Sequence, residues 1–459
     1  MSKNKNGDTL GRRLSGLYAK DGTKSLLASL ISILIGLLFG AILVTIVGLV
    51  YKMGAKNIWE GVQLVFMGIF TLDERSGGAL AFGFNPVSIG NMLFRATPLI
   101  LTGLSVGVAY KTGLFNIGAP GQYLMGTAAT LVIALSIPAG ALPAPLIWLL
   151  AFLGGILAGA VWGCLPGIAK AFLNINEVLA CIMTNWIAGN IVAAIFDGSK
   201  FCNMVETTKT SYIYKTTYGL TQVAAGTGIG GGDYTYVDGA GVATAKLGLD
   251  KLFPGSQVNG GILIAIVIAI GIYILMSKTT LGYRLKACGA NRHAARYAGI
   301  NDKGSIVLSM AIAGALSGAA AALYWLSGNT EYYWSSAYQT LPAIGFNGIP
   351  VALLASCNPI GIIFSGTFMS MLNITGQTLF KHIPTYNEYI SDVIIAAIVY
   401  LSAFSLLIKT LLGSRKKKRA KGGGGDEPVL VSAPAQTTAD PPDTPPAEDT
   451  PEQEGGEEQ

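Results

Sequence analysis

Apolar residues in this chain gather into long blocks, and the polar residues collect between them. Blocks at 26–50, 89–110, 115–137, 146–172, 177–196, 260–277, 305–327 and 389–412 are each long enough, at about 1.5 Å of rise per residue, to cross roughly 30 Å of hydrocarbon as a helix. A further apolar region at 337–376 is broken near its middle by Asn358-Pro359. Proline lacks an N–H and disfavours helix at the residue before it, so this region either crosses twice or is re-entrant. The expected fold is an all-α, polytopic transmembrane helix bundle of about 8–10 spans.

The polar intervals set the orientation. The segment 281–301, LGYRLKACGANRHAARYAGIN, lies between two apolar blocks, and Lys278, Arg284, Lys286, Arg292, His293, Arg296 and Lys303 crowd in or beside it. Such an excess marks the cytoplasmic face. Lys3, Lys5, Arg12, Arg13, Lys20 and Lys24 precede the first block, and Arg415, Lys416, Lys417, Lys418, Arg419 and Lys421 follow the last. Both termini are therefore expected in the cytoplasm, with an even number of crossings. The predicted organisation is a basic cytoplasmic segment at 1–25, a membrane domain at 26–412 and a disordered cytoplasmic tail at 413–459, rich in Gly, Pro and acidic residues. Within the membrane domain, 197–259 is an extracytoplasmic insert, 278–304 a cytoplasmic loop, and 58–72 a helix lying on the outer surface. The basic cluster of the tail, being juxtamembrane, suits contact with the lipid bilayer rather than nucleic acid.

Composition supports this class. Charged residues make up 12% of the chain, where roughly 25% is usual in globular domains, and the mean hydropathy is +0.52. Cys164, Cys181 and Cys357 lie in or beside apolar blocks, Cys288 in the basic segment, and Cys202 outside without an evident partner, so no disulfide framework is expected. The first block is far longer than a signal-peptide core of about 7–15 residues and reads as an uncleaved helix. Glycines four apart (Gly36/Gly40, Gly103/Gly107, Gly155/Gly159/Gly163, Gly314/Gly318) mark faces for close backbone packing, or for sliding during transport. Gly226, Gly228 and Gly231 have a GxGxxG spacing, but no buried strand precedes them and no helix follows. A small β-rich cap or an external contact loop suits that insert better.

Candidate chemistry is sparse. Gly22-Thr23-Lys24-Ser25 lacks the upstream glycine of a phosphate-binding loop, so the chain is not expected to hydrolyse ATP. His293 and His382 have no metal-like neighbours, no nucleophilic constellation is present, and no cofactor or metal is implied. An enzyme is not expected, which leaves transporter, channel or anchor. Polar residues inside apolar blocks point to a pathway, since an unpartnered amide in hydrocarbon costs several kcal/mol. Asn116 and Gln122 stand in the Gly/Pro-interrupted start of the third block, Glu177 opens the fifth, and Asn185, Trp186 and Asn190 lie within it. Each either lines a pathway or, for the amides, bonds between helices; Glu177 also suits a helix N-terminus. The scarcity of intramembrane charge argues against a stand-alone proton-coupled carrier.

Three stretches resemble the permease subunits of ATP-binding cassette importers of the branched-chain amino acid, ribose and nucleoside type. The first runs from Arg95-Ala96-Thr97-Pro98-Leu99 through Gly103-Leu104-Ser105-Val106 to Lys111-Thr112-Gly113-Leu114-Phe115-Asn116-Ile117-Gly118 and Gly121-Gln122. The second joins Asn176-Glu177-Val178-Leu179 to Met183-Thr184-Asn185-Trp186-Ile187-Ala188. The third covers 282–301 and contains Gly289, Asn291, Ala294-Ala295-Arg296 and Gly299-Ile300. The resemblance covers roughly 87–412, and is closest to permeases of simple-sugar and nucleoside importers; the long insert and the acidic tail depart from it. It implies a second permease chain, identical or homologous, a separate cytosolic ATP-binding cassette ATPase, and an extracytoplasmic substrate-binding lipoprotein, in a bacterial cytoplasmic membrane. It further implies that Gly282, Arg284, Gly289, Asn291, Arg296 and Gly299 belong to the segment that couples to the ATPase. Nucleosides are the expected cargo, with pentoses, hexoses or branched-chain amino acids as alternatives.

Overall fold

The computed structural model describes residues 21–72, 80–137, 141–197, 199, 201, 221–224, 234–237, 242–328, 332, 333, 340–386, 392, 393 and 396. Of 21–33, 35, 36 and the two strands it describes the backbone alone. The basic N-terminus at 1–20, most of the insert at 197–259 (with Cys202 and the GxGxxG glycines), nearly all of the 389–412 block and the tail at 413–459 lie outside the described residues.

The elements follow the apolar blocks. They are α1 (Asp21–Val50), α2 (Ala55–Met67) with a 3-10 turn at Gly68–Phe70, α3 (Pro86–Lys111), α4 (Ala119–Ser136), α5 (Ala144–Leu173) and α6 (Glu177–Phe196). After the insert come α7 (Gly261–Lys278), α8 (Thr280–Ala290), α9 (Arg292–Tyr297), α10 (Asp302–Trp325), α11 (Ala343–Leu354) and α12 (Pro359–His382). Within the insert β1 (Thr221–Ala224) pairs antiparallel with β2 (Tyr234–Val237). Among the described residues six helices, α3, α5, α6, α7, α10 and α12, are long and apolar enough to cross a membrane. The chain is an all-α, multi-pass membrane protein.

The segregation of side chains on α5 shows what solvent this fold is built for. Its large apolar residues, among them Leu153, Leu157, Val161, Leu165 and Ile168, are exposed, while Gly155, Gly159 and Gly163 are buried. Lipid offers large apolar side chains no reason to hide, so small residues take the interior and let backbones meet. They meet on α10: a Cβ on Gly159 would overlap the Gly314 carbonyl oxygen, one on Gly163 that of Met310, and one on Gly318 that of Gly155. The glycine faces at 155/159/163 and 314/318 are thus the two halves of one seam.

Helix α3 is the centre of the bundle. Between Ser88 and Ala109 every residue is buried except Asn91, Leu93 and Arg95, because α10, α11, α12 and α7 surround it. Asn85 caps its start, its Oδ1 accepting from the Val87 and Ser88 N–H groups at 3.1 Å each.

The region 337–376 resolves into unequal parts. With 12 residues α11 is only about 18 Å long, too short to cross by itself. It is wedged against α3 and α4 by Gly348 on Thr102 and Gly345 on Pro120. Ser356 and Cys357 then turn with left-handed φ of 50° and 54°, Asn358 Oδ1 caps α12 by accepting from Ile360 and Gly361 N–H, and Pro359 occupies the first helical turn. The break falls at Asn358-Pro359 as expected, but α12 continues past residue 376 to His382.

Other boundaries move as well. The third block starts as helix only at Ala119, since 112–118 form an irregular turn. The segment 278–304 is no open loop: α8 and α9 occupy most of it, and Asp302 already belongs to α10. The helix foreseen at 58–72 begins at Ala55 and packs Gly61, Leu64 and Val65 inward. His382 is buried, with Nε2 3.9 Å from Glu60 Oε2.

Candidate functional site

Helices α3, α5 and α7 each carry a lysine in the last turn, Lys111, Lys170 and Lys278, at the end of the bundle where α8 and α9 lie. Each short element there has its own cap. Thr279 Oγ1 accepts from Gly282 N–H at 3.1 Å to start α8, Asn291 Oδ1 from Ala294 N–H at 2.9 Å to start α9, and Asn301 Oδ1 from Gly304 N–H at 2.9 Å to start α10. Gly299, with φ +76°, supplies the left-handed residue that turns the chain from α9 towards α10. The coupling candidates divide accordingly: Asn291 and Gly299 shape the turns, and Gly282 lets α8 fold back against Leu275 and Met276 of α7.

Gly289 brings this unit against the turn that follows α3. A Cβ there would lie 2.7 Å from Lys111 O and 2.8 Å from Gly113 N, so α8 rests backbone to backbone on the turn that links α3 to α4. Arg296 is committed within the unit. Its Nη2 sits 2.9 Å from Asp302 Oδ2, and Arg292 Nε reaches the same oxygen at 2.7 Å. Arg284 is exposed, as are Tyr283 at 69% and Tyr297 at 95%. These two tyrosines escaped the sequence reading, because an aromatic in a basic segment is told from a core residue only by its burial.

The turn on which Gly289 rests leads into a network of buried amides. Asn116 Nδ2 donates to Ser105 Oγ at 3.0 Å and to Gln122 Oε1 at 2.9 Å, and Gln122 Nε2 donates back to Asn116 Oδ1 at 3.1 Å. Ser317 of α10 joins through Ser105 at 3.0 Å. From α6, Asn185 Oδ1 accepts from Gly121 N–H at 2.9 Å, while its Nδ2 donates to Ile117 O at 3.0 Å. The start of α4, freed from regular helix by Gly118 and Pro120, is thereby held by α3, α6 and α10 together. Thr112, one residue past α3, contacts Ser309 of α10 hydroxyl to hydroxyl.

The six pathway candidates do not form one site. Asn116, Gln122 and Asn185 come together, fully buried and bonded to protein, which is the interhelical reading. Trp186 and Asn190 point away on the exposed flank of α6, Asn190 bonding to Trp186 O of its own helix at 2.9 Å. Glu177 pairs with Lys170 at 3.1 Å at the basic end. Sequence reasoning missed Ser105 and Ser317, whose part in the network is set by packing across three helices. Asn185→Leu is expected to destabilise the protein by about 2 kcal/mol or more, because Gly121 N–H and Ile117 O lose their partner inside the bundle. Asn190→Ala should change stability by no more than about 0.5 kcal/mol. Thermal unfolding of the purified variants in detergent checks both.

Residues 88–403, which hold the amide network, α8, α9 and the seam, match the family of branched-chain amino acid transport system permease components. The chain belongs to this family. The permease is 34% identical over 352 residues to the nucleoside ABC transporter permease protein NupB of Lactococcus lactis subsp. cremoris, covering 73% of this chain and 89% of the relative. It is 30% identical over 394 residues to the guanosine ABC transporter permease protein NupP of Bacillus subtilis, covering 85% and 97%. With the glucose ABC transporter permease protein TsgB13 of Haloferax volcanii it shares 27% identity over 326 residues, covering 70% and 77%. No solved structure matches it. The permease is thus a multi-pass protein of the cell membrane whose relatives are transport subunits, and its family works in general with an ATPase and a solute-binding protein.

Proposed function

We propose that this permease carries nucleosides inward across the cell membrane as part of an ABC importer. The observation that carries the reading is its likeness, over most of both chains, to permeases named for nucleoside and guanosine transport. The basic end faces the cytoplasm, as the lysine-terminated helices and the cationic α8–α9 unit suggest. A separate cytosolic ATP-binding cassette ATPase docks on α8 and α9, with Tyr283, Arg284 and Tyr297 as the exposed anchors, residue types that dominate interface energies. A second permease chain completes the pathway, and an extracytoplasmic lipoprotein delivers the solute.

Gly289 supports a mechanism. A displacement of α8 is transmitted through backbone contact to the 112–118 turn and from there to the amide network that fixes the start of α4. Because those amides are all satisfied in one arrangement, they favour a discrete switch over a gradual deformation.

The testing experiment is uptake of labelled guanosine by cells expressing this chain with its ATPase, lipoprotein and second permease chain, competed in turn by other nucleosides, free pentoses and hexoses, and leucine. Competition by nucleosides alone is the expected result. Competition by glucose or another free sugar would move the chain to the sugar-carrying branch that its likeness to TsgB13 represents, and uptake by the purified chain without an ATPase would make it a secondary carrier.

A further inference from the structure

At the basic end of the bundle a cleft of about 370 Å³ opens between α3, α7, α8 and the turn that joins α11 to α12. Its floor is apolar and buried, built from Leu104, Gly107 and Val108 of α3 and Ile362 of α12. Its rim is polar and exposed: Lys111 ends α3, Tyr273 and Ser277 stand on α7, Lys286 on α8, and Asn358 precedes α12.

Every side chain on that rim can donate a hydrogen bond, and no carboxylate lines the cleft. Lys111 and Lys286 bring two cations to it from different helices, and neither has an acidic partner among the described residues. Asn358 uses its Oδ1 on the Ile360 and Gly361 N–H groups, which leaves Nδ2 as a donor. A rim of this composition suits an anion.

The neighbouring surface distinguishes a lipid from a small anion. On α7, Val267, Ile270 and Ile274 are 67%, 43% and 49% exposed, and their spacing sets them on the same flank as Tyr273 and Ser277. An apolar stripe that acyl chains can cover therefore leads along α7 into a cationic cleft. A molecule with a phosphate head and two acyl chains matches both parts.

We propose that this cleft binds the head group of an anionic phospholipid of the cytoplasmic leaflet, such as phosphatidylglycerol, with the phosphate between Lys111 and Lys286. Basic clefts between membrane helices on the cytoplasmic side take anionic head groups in this way. Lys286 lies one turn before Gly289 on α8, and the Lys111 carbonyl is among the atoms that Gly289 meets. A phosphate shared by the two lysines thus clamps α8 to the bundle beside the backbone contact that carries its movement. The leaflet follows from the orientation proposed above, whereas the binding itself is independent of orientation and of cargo.

The test is native mass spectrometry of the full chain released from nonionic detergent after addition of dioleoylphosphatidylglycerol, dioleoylphosphatidylcholine or inorganic phosphate. Phosphatidylglycerol is expected to be retained, and phosphatidylcholine, whose head carries no net charge, to be lost. Lys111→Gln/Lys286→Gln should lower the affinity for phosphatidylglycerol about tenfold or more, since each basic side chain near an anionic lipid strengthens binding severalfold. Ser277→Trp fills the cleft while keeping both lysines, and should lower it as well. These positions are exposed, and thermal unfolding without added lipid checks that the variants are folded. Lys416→Gln/Lys417→Gln/Lys418→Gln, in the basic cluster of the tail, should leave this binding in place. Retention abolished by the tail variant but spared by both cleft variants would overturn the proposal, as would equal retention of phosphatidylcholine or displacement of the lipid by equimolar inorganic phosphate. Binding that appears only after removal of residues 426–459 would make the acidic tail the occupant of the cleft, and would overturn it too.

Discussion

Gly314→Leu is expected to prevent the protein from accumulating in folded form. A Cβ at this position overlaps the Gly159 carbonyl oxygen and comes within 3.0 Å of Gly163 Cα, so every obstructing atom is backbone. Overpacking in cores whose side chains can shift costs about 1–3 kcal/mol; here nothing can shift without separating α5 from α10, and the cost should exceed that range. Size-exclusion profiles of detergent-extracted, fluorescently tagged protein check this, with Gly271→Leu as the control. Gly271 of α7 has nothing within 4 Å of its would-be Cβ and should accept leucine with a normal profile. A monodisperse Gly314→Leu protein that still supports uptake would refute the account of the seam.

The second large effect is expected at Gly289, on transport rather than on folding. Gly289→Trp must lift the end of α8 off Lys111, Thr112 and Gly113, because the obstruction is again backbone, at 2.7–2.8 Å. The rest of the α8–α9 unit keeps its caps and its Asp302 clamp, so the surface proposed to meet the ATPase stays formed. Uptake should fall about tenfold or more, as for the loss of roughly 1.4 kcal/mol of coupling, while ATP hydrolysis by the assembled transporter continues. Parallel measurement of hydrolysis and uptake in proteoliposomes decides it; coupled transport at the native rate would remove Gly289 from the transmission path. Arg296→Glu is a less discriminating variant, since it sets a second carboxylate against Asp302 and dismantles the turn that presents α9.

How much of this was legible in the sequence depended on the range over which each feature is decided. The apolar blocks and the break at Asn358-Pro359 are local, and among the described residues most of the blocks and the break appear close to where the residues put them. The 3-10 and irregular stretches misled, because 115–118 is apolar enough to read as helix while its backbone serves the amide network instead. Asn116, Gln122 and Asn185 stood out as polar residues in apolar blocks, but whether an amide bonds a neighbouring helix or faces a pathway is decided by what packs opposite. Ser105 and Ser317, 212 residues apart, meet at 3.0 Å, and no spacing foretells that. Arg95 was in view as part of a recognisable stretch and was still passed over as an intramembrane charge. That no carboxylate pairs with it among the described residues is something only the fold displays.

The glycine seam also governs how the molecule can move. Side-chain interfaces slide by exchanging rotamers, and each exchange leaves a contact almost as good as the last. Two backbones held face to face by glycine have no such intermediate positions, so α5 and α10 must travel as one body through any transport cycle. Freedom is then confined to contacts made through side chains and turns, chiefly the short α11 with its left-handed exit at Ser356 and Cys357. Since α10 begins at the Asp302 clamp and is itself half of the seam, a pull on α9 is delivered to this body along the axis of α10, as a lever rather than a wedge.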